Sequence, residues 1–181
     1  MVTDLQRRKL AHTFKLWDAN SDGAIEQADY DLLIARVAAV RGWAPGSAGY
    51  GQLQHLYLAS WAAIRAYADP NGDGRVSRAE WLACFAEWLT DPAAFRARIG
   101  PLSEAVFALL DRDGDGAITH DEWDLHARLY NAVPDATGAI FSRLDSDGDG
   151  RIPKDEFITV SLDFFLDQDP QAPANWMYGD F

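Results

Sequence analysis

Residues 111–122, DRDGDGAITHDE, decide the fold of this 181-residue chain. The segment has a carboxylate at positions 1, 3, 5 and 12, glycine at position 6 and isoleucine at position 8. Three other segments align with it: DANSDGAIEQAD at 18–29, DPNGDGRVSRAE at 69–80 and DSDGDGRIPKDE at 145–156. Four copies with one spacing indicate a repeated unit rather than four unrelated acidic turns.

The spacing within these segments is typical of the EF-hand loop, which binds Ca²⁺. Ca²⁺ takes about seven oxygen ligands at roughly 2.4 Å, and side chains at positions 1, 3, 5 and 12 supply most of them. Glycine at position 6 allows the positive φ angle of the tight turn. Position 7 contributes only its backbone carbonyl, so its side chain is free to vary, and Glu26 adds a carboxylate at position 9 of the first loop. The predicted ligands are Asp18, Asn20, Asp22, Ala24, Glu26, Asp29, Asp69, Asn71, Asp73, Arg75, Glu80, Asp111, Asp113, Asp115, Ala117, Glu122, Asp145, Asp147, Asp149, Arg151 and Glu156.

Apolar residues at fixed offsets flank the loops and predict how the loops pair. Position 8 is aliphatic in every loop, which predicts a short β-bridge between two paired loops. These residues are Ile25, Val76, Ile118 and Ile152. The residue that follows each loop is aromatic: Tyr30, Trp81, Trp123 and Phe157. Four residues before each loop stand Phe14, Arg65, Phe107 and Phe141, of which only Arg65 is not an apolar anchor for the core.

The spacing between the loops predicts an all-α fold of four EF-hands in two compact pairs, with short β-bridges between paired loops. We place the N-terminal pair in residues 1–90 and the C-terminal pair, with a docked tail, in residues 91–181. Gly100-Pro101 predicts a kink that divides the chain between 92 and 110 into two helices. The Pro-rich tail carries Trp176, Met177, Tyr178 and Phe181, so we expect it to pack on the body of the protein.

The balance of charge excludes several classes of partner. The chain has 28 acidic and 16 basic side chains, for a formal net charge of −12. Nucleic acids and anionic membrane surfaces would be repelled, because binding them requires clustered Lys and Arg. A hydrophobic fraction of 48% argues against an acidic disordered tail. Fourteen of the acids stand at positions 1, 3, 5 and 12 of the four loops, and four Ca²⁺ ions would change the formal charge from −12 to −4.

The remaining reactive side chains favour neither an enzyme nor a secreted protein. The four histidines, His12, His55, His120 and His126, are scattered, and none shows the spacing of a nucleophile and its base. Cys84 is the single cysteine, so no internal disulfide forms. The chain shows no signal-peptide pattern and no apolar run of about 20 residues. We expect a cytoplasmic monomer that is not an enzyme.

The four loops, the mass of 20.1 kDa and the tail sequence DPQAPANWMYG resemble those of the sarcoplasmic calcium-binding proteins, in particular the prokaryotic, calerythrin-like members. The most specific mark is Asp29, since this family commonly has Asp rather than Glu at position 12 of the first loop. Many members have a degenerate second loop, whereas Asp69, Asn71, Asp73 and Glu80 are all present here. The resemblance implies a compact helical fold that binds or buffers Ca²⁺ without catalysis.

Two loops differ from the common pattern in their chemistry. Asp29 is one methylene shorter than Glu and can bind through one oxygen, which lowers the coordination number toward the six that Mg²⁺ prefers. The first loop is therefore a candidate Ca²⁺/Mg²⁺ site, and the alternative is that the loop tightens and binds Ca²⁺ in the ordinary way. Pro153, at position 9 of the fourth loop, offers no side-chain oxygen, so a water must complete that site.

Three roles remain open for a protein with four such sites. A sensor exposes an adaptable, Met-rich groove, but this chain has only Met1 and Met177 beside seven Trp, nine Phe and six Tyr. Large rigid aromatic side chains favour a fixed core, and hence an intracellular Ca²⁺ buffer or transport protein over a sensor with a protein partner. A third role is that of the luciferin-binding proteins, which share this architecture and hold a small ligand in an aromatic core.

Overall fold

The computed structural model describes residues 2–129 and 134–179. Its helices and strands follow in chain order: α1 (Asp4–Trp17), β1 (Ala24–Ile25), α2 (Gln27–Arg41), α3 (Ala48–Ala68), β2 (Val76–Ser77), α4 (Arg78–Trp88), α5 (Pro92–Leu110), β3 (Ala117–Thr119), α6 (His120–Leu129), α7 (Pro134–Leu144), β4 (Arg151–Pro153), α8 (Lys154–Leu166) and a 3₁₀-helix (Pro173–Trp176). The predicted all-α EF-hand fold is confirmed. None of the helices in the described residues is both long and apolar enough to span a membrane.

Each β-bridge forms where position 8 of one loop meets position 8 of another. The strands β1 and β2 pair antiparallel with Ile25 opposite Val76. The strands β3 and β4 pair antiparallel with Ile118 opposite Ile152. These four side chains are at most 1% exposed, so they bury apolar surface at the point where the two loops of a pair are joined. The first loop is thereby held beside the second, and the third beside the fourth.

The chain divides into two compact units. Residues Leu10–Glu87 form the N-terminal unit, which carries the first two loops. Residues Met1–Lys9 and Trp88–Phe181 form the C-terminal unit, which carries the other two. The first turns of α1 therefore belong with the second half of the chain. The assignment of EF-hand pairs to residues 1–90 and 91–181 stays a prediction.

Aromatic side chains form the core of the N-terminal unit. Trp17 and Tyr30 stack with ring centroids 5.3 Å apart, and Tyr30 also contacts Trp61 at 5.2 Å. Trp81 lies 4.3 Å from Phe85. The Trp81 indole donates a buried hydrogen bond of 3.1 Å to the carbonyl oxygen of residue 10, so its polar atom is satisfied inside the core.

The predicted division of α5 at Gly100-Pro101 is wrong, because one helix runs from Pro92 to Leu110. Proline inside a helix removes a hydrogen bond and costs about 3 kcal/mol. The helix continues because one face of it is buried on both sides of the proline, through Phe95, Ile99, Ser103 and Phe107. Burying an aromatic or aliphatic side chain contributes roughly 1.5–3 kcal/mol each, so the three apolar residues outweigh the proline.

The tail follows α8 and packs on the C-terminal unit. Its 3₁₀-helix contacts α7 and α8, and Ala172, Ala174 and Met177 are buried. The Trp176 ring lies 3.8 Å from the Arg143 guanidinium, and Tyr178 contacts Phe164 edge-on at 4.8 Å. Phe181, which the sequence placed in the docked tail, lies outside the described residues, as do residues 130–133.

Side chains from the start of α1 bind the end of α8. The Gln6 amide donates to the carbonyl oxygen of Phe165 at 3.2 Å, and Lys9 Nζ donates to that of Asp167 at 3.0 Å. Lys9 is fully buried, with Nζ 5.3 Å from the Phe164 ring centroid. Burial lowers the pKa of Lys9 from 10.5 to about 8, against the opposing effect of the Asp167 carboxylate. Since the unfolded chain holds this proton more tightly, the stability contributed by Lys9 rises as pH increases from about 8 to 10.5.

We expect the substitution Lys9→Met to remove this pH dependence. In urea unfolding with saturating Ca²⁺, the wild-type protein should gain stability relative to the variant between about pH 7 and about pH 9.5, because Lys9 loses its proton in the folded state. Lys15→Met, on the exposed side of α1, is the matched control and should track the wild type. A constant difference between Lys9→Met and the wild type across this range would contradict the assignment.

Candidate metal centres

Position 6 closes the turn of each loop in the same way. The φ angles of the four glycines lie between 82° and 92°, in the left-handed region that glycine adopts without strain. Each glycine N–H donates to the carboxylate of position 1 at 2.9–3.1 Å. These pairs are Gly23 with Asp18, Gly74 with Asp69, Gly116 with Asp111, and Gly150 with Asp145. The carboxylate of position 1 is thereby fixed inside its loop.

Position 5 is fixed by the backbone two residues later. The N–H of position 7 donates to Oδ1 of position 5 at 2.9–3.1 Å in every loop, so the backbone fixes the orientation of this carboxylate. The position 5 residues are Asp22, Asp73, Asp115 and Asp149. Two carboxylates per loop are therefore oriented by backbone donors, and this lowers the cost of ordering them when an ion binds.

Position 12 reaches back from the exiting helix into the loop. Glu122 accepts from the Arg112 N–H at 2.7 Å through Oε1, and from the Thr119 N–H at 2.9 Å through Oε2. Burial opposes ionisation of Glu122, but these hydrogen bonds outweigh burial and lower the pKa of its carboxyl. Glu80 has the same role in the second loop, where it accepts from Asn71 Nδ2 and from the Ser77 N–H.

The shorter Asp29 occupies position 12 of the first loop. Its Oδ1 accepts from the Asn20 N–H at 3.0 Å and its Oδ2 from the Glu26 N–H at 2.8 Å. Asp29 is fully buried, more so than Glu122, which is 5% exposed. Although Asp29 is one methylene shorter than Glu122, it likewise accepts a backbone N–H bond at both oxygens.

The fourth loop lacks one of these donors. Pro153 has no N–H, so position 9 cannot hold Glu156 as Thr119 holds Glu122. Glu156 Oε1 instead accepts from Ser146 Oγ at 2.5 Å. Pro153 pairs with Ala117 in the bridge and precedes α8 with φ −60°, a value that suits the start of a helix.

Within the described residues, two groups of carboxylates converge closely enough to hold a metal ion. In the third loop, Asp111, Asp113 and Glu122 bring one oxygen each to within 4.8 Å of one another. In the fourth loop, the group is Asp145, Asp147 and Asp149. Asp115 and Glu156 stand outside these groups, held by Arg151 and by Ser146. The first two loops carry Asn at position 3, so their ligand sets contain fewer carboxylates.

Comparison with known proteins agrees with this geometry. A family model described as an EF-hand domain pair matches residues 102–162, and one described as an EF hand matches residues 66–86. A sarcoplasmic calcium-binding protein of Perinereis vancaurica tetradentata is 34% identical over 96% of this chain and 98% of its own length. The chain belongs to the sarcoplasmic calcium-binding protein family. It is a calcium-binding protein and not an enzyme.

Bacterial proteins share this sarcoplasmic calcium-binding protein pattern. Calerythrin of Saccharopolyspora erythraea is 23% identical over 68% of this chain and 71% of that protein. The solved structure of a Streptomyces coelicolor calcium-binding protein, reported as a basis for prokaryotic calcium-mediated regulation, is also similar. Its TM-score is 0.75 at 25% identity, over 89% of this chain and 98% of that one.

The position 7 side chains of the second and fourth loops form ion pairs, whereas the sequence pattern indicated a role only for the backbone carbonyl at this position. Arg75 and Arg151 each form an ion pair with position 5 of the neighbouring loop, with Asp22 and Asp115 respectively. The hydrogen bond from Arg151, together with that from the Ala117 N–H, lowers the pKa of Asp115. The signal in the sequence was the arginine at position 7 of both even-numbered loops and alanine in both odd-numbered ones.

Proposed function

We propose that this sarcoplasmic calcium-binding protein is an intracellular Ca²⁺ buffer in which each of the four loops holds one ion. The ligands would be the side chains at positions 1, 3, 5 and 12 with the carbonyl of position 7, and Glu26 in the first loop. Each loop carries the fixed hydrogen bonds of positions 5 and 6 that support this assignment.

The observation that carries the buffer role is the interlocking of aromatic rings between paired hands. Phe14 of α1 lies edge-on to Trp81 of α4 at 6.3 Å, and Phe107 of α5 meets Phe157 of α8 at 5.7 Å. Each contact joins the entering helix of one hand to the exiting helix of the next, and all four residues are at most 3% exposed. If a hand opened as a sensor does, each of these rings that became exposed would cost roughly 1.5–3 kcal/mol, so these contacts favour a fixed arrangement of the helices.

The distribution of flexible and exposed apolar side chains supports the same role. Met177, the one methionine in the described residues, is 3% exposed and lies in the docked tail. The large apolar side chains exposed in the described part of the chain are Leu32, Val40 and Tyr67, on α2 and α3. A Met-rich groove for a target helix is therefore not formed by these residues.

Ca²⁺ titration with an apolar dye separates a buffer from a sensor. A buffer should bind with dissociation constants near 10⁻⁹–10⁻⁸ M and leave dye fluorescence unchanged, whereas a sensor should bind near 10⁻⁷–10⁻⁵ M and increase it strongly. The sensor role is the second candidate because the Streptomyces coelicolor relative is described in terms of calcium-mediated regulation. A large Ca²⁺-induced rise in dye fluorescence would favour that role and contradict the buffer.

We propose a cytoplasmic monomer as the working form. Cys84 is the single cysteine and is buried, so the chain has no internal disulfide and requires no oxidation for folding, which is compatible with a reducing compartment. Leu32, Val40 and Tyr67 are the large apolar side chains exposed in the described residues, and three such side chains offer little of the roughly 800 Å² per partner that a stable interface buries. Sedimentation of the Ca²⁺-loaded protein checks this proposal, and a mass near 40 kDa, about twice that of one chain, would contradict it.

We also propose that the first loop accepts Mg²⁺ as well as Ca²⁺. Asp29 and Glu122 both accept backbone N–H bonds at each carboxylate oxygen, so what distinguishes Asp29 from Glu122 is its shorter reach, which favours a single bond to an ion over a bidentate one. A monodentate ligand lowers coordination toward six, and Mg²⁺ requires near-octahedral geometry.

The substitution Asp29→Glu should raise the preference of the first site for Ca²⁺ over Mg²⁺ by about tenfold, because the longer side chain can bind through both oxygens. Calorimetric titration with each metal measures the two affinities. The reverse substitution, Glu122→Asp, is the matched variant and should lower the same ratio at the third site. An unchanged ratio in both variants would refute the coordination argument.

A further inference from the structure

One arginine in each unit reaches from the second loop of a pair to the first. Arg75 Nη2 lies 3.3 Å from both carboxylate oxygens of Asp22, and its Nη1 is 3.7 Å from Glu26 Oε2. Arg151 Nη2 donates to Asp115 Oδ2 at 2.5 Å. Both arginines occupy position 7, and both Asp22 and Asp115 occupy position 5 of the odd-numbered loop. The same bridge therefore occurs twice, once in each compact unit.

Arg151 binds the Asp115 oxygen that would otherwise be available to coordinate an ion. Asp115 Oδ1 accepts the Ala117 N–H at 3.0 Å, so Oδ2 is the oxygen left for a ligand bond, and Arg151 holds it. Asp149 in the fourth loop is likewise fixed through Oδ1, but it belongs to the converging group of its loop. Asp115 does not belong to the group formed by its own loop. The difference between these two equivalent residues coincides with the presence of the arginine.

In both pairs the arginine belongs to the even-numbered loop and the carboxylate that it binds belongs to the odd-numbered loop. Position 7 of the odd-numbered loops is Ala24 and Ala117, whose methyl side chains cannot reach back to the even-numbered loops. The position 5 carboxylates of the even-numbered loops therefore have no arginine beside them from the paired loop, while those of the odd-numbered loops form an ion pair with an arginine guanidinium. A guanidinium beside the site also repels an entering dication.

We infer that Arg75 and Arg151 lower the Ca²⁺ affinity of the first and third loops by binding the carboxylate at position 5 of those loops. The second and fourth loops therefore bind Ca²⁺ first. This inference rests on the proposed four-site buffer function. The arginines are 43–47% exposed, so solvent screens the interaction and the expected effect is a modest one, about threefold to tenfold in affinity. The third and fourth loops are thereby given different affinities, although both carry Asp at positions 1, 3 and 5 and Glu at position 12.

Each loop contains its own reporter of occupancy. The position 6 glycine N–H donates to the position 1 carboxylate in all four loops, so an ion bound to that carboxylate polarises the hydrogen bond and shifts the amide resonance. An NMR titration with Ca²⁺ alone therefore follows the filling of the four sites one by one. In the wild type, Gly74 and Gly150 should respond at lower Ca²⁺ than Gly23 and Gly116.

The variants Arg151→Ala and Arg75→Ala test the bridge in the two units independently. Arg151→Ala should raise the affinity reported by Gly116 about threefold to tenfold and bring its response toward that of Gly150. Arg112→Ala is the matched control, because it removes the same charge from position 2 of the third loop, where the side chain is exposed and forms no ion pair among the described residues. Arg75→Ala should act in the same way on Gly23.

The outcomes separate this inference from the function on which it rests. A wild-type protein in which no glycine amide responds to Ca²⁺ would contradict the four-site function. A wild type that titrates normally, with an unchanged Gly116 response in Arg151→Ala or an equal change in Arg112→Ala, would overturn the inference and leave the function standing. A specific gain at Gly116 and at Gly23, each only in its own variant, is the result that supports it.

Discussion

Removal of Ca²⁺ with a chelator is expected to lower the melting temperature of this protein by about 20–40 °C. Fourteen carboxylates stand at positions 1, 3, 5 and 12 of the four loops, and without ions they repel one another at close range. A ligand at about 100 times its dissociation constant stabilises the folded state by roughly 2.7 kcal/mol, so four sites contribute roughly 11 kcal/mol. That amount approaches the whole stability of an ordinary domain, and each kcal/mol shifts the melting temperature by about 2–4 °C at this size.

Differential scanning calorimetry measures this shift directly. Chelator added to protein with excess Ca²⁺ is the control, since it tests for effects of the chelator that do not depend on the ion. Mg²⁺ alone should recover only a small part of the stability, because one loop of the four is proposed to accept it. Melting temperatures that agree within a few degrees with and without Ca²⁺ would contradict the link between metal binding and folding.

The second large effect is expected from Glu122→Gln, which should weaken Ca²⁺ binding at the third site about 100-fold. The substitution keeps the size of the side chain but removes the charge and one acceptor oxygen. Glu122 is 5% exposed and accepts from the backbone on both sides of the loop, so the amide would also leave one of these donors without an acceptor. Isothermal titration should show one fewer tight site per chain.

Asp121→Asn is the matched control for this variant. Asp121 is exposed and adjacent to Glu122, so the substitution removes the same charge from the same helix turn without touching the predicted ligand set. It should reduce the affinity of the third site only slightly, through the general field. If both variants weakened binding equally, Glu122 would act through its charge alone and not as a ligand.

The sequence predicted the elements that repeat. Position 8 predicted the bridges, and the pairing of Ile118 with Ile152 confirms it. The residue after each loop was expected in the core, and Tyr30, Trp81 and Phe157 are at most 1% exposed. These predictions succeeded because the same residue type occurs at the same offset four times, which a single loop would not have shown.

The sequence was less informative about features that depend on packing between residues far apart in the chain. Gly100-Pro101 is locally a helix breaker, but the apolar face of α5 lies on both sides of it and maintains one helix. For Arg151 at position 7, the sequence predicted a role for the backbone carbonyl only, because the side chain is not part of the ligand pattern. Its contact with Asp115 joins residues 36 positions apart and depends on the register of the β-bridge. The burial of Lys9 was likewise not predicted, because it depends on the contact of α1 with the end of α8.

Isothermal titration of Ca²⁺, with and without about 1 mM Mg²⁺, tests the central claim most directly. Four intact loops predict four Ca²⁺ ions per chain, with Mg²⁺ weakening the binding of one of them. Three or fewer ions per chain would contradict the claim that each of the four loops is a working site.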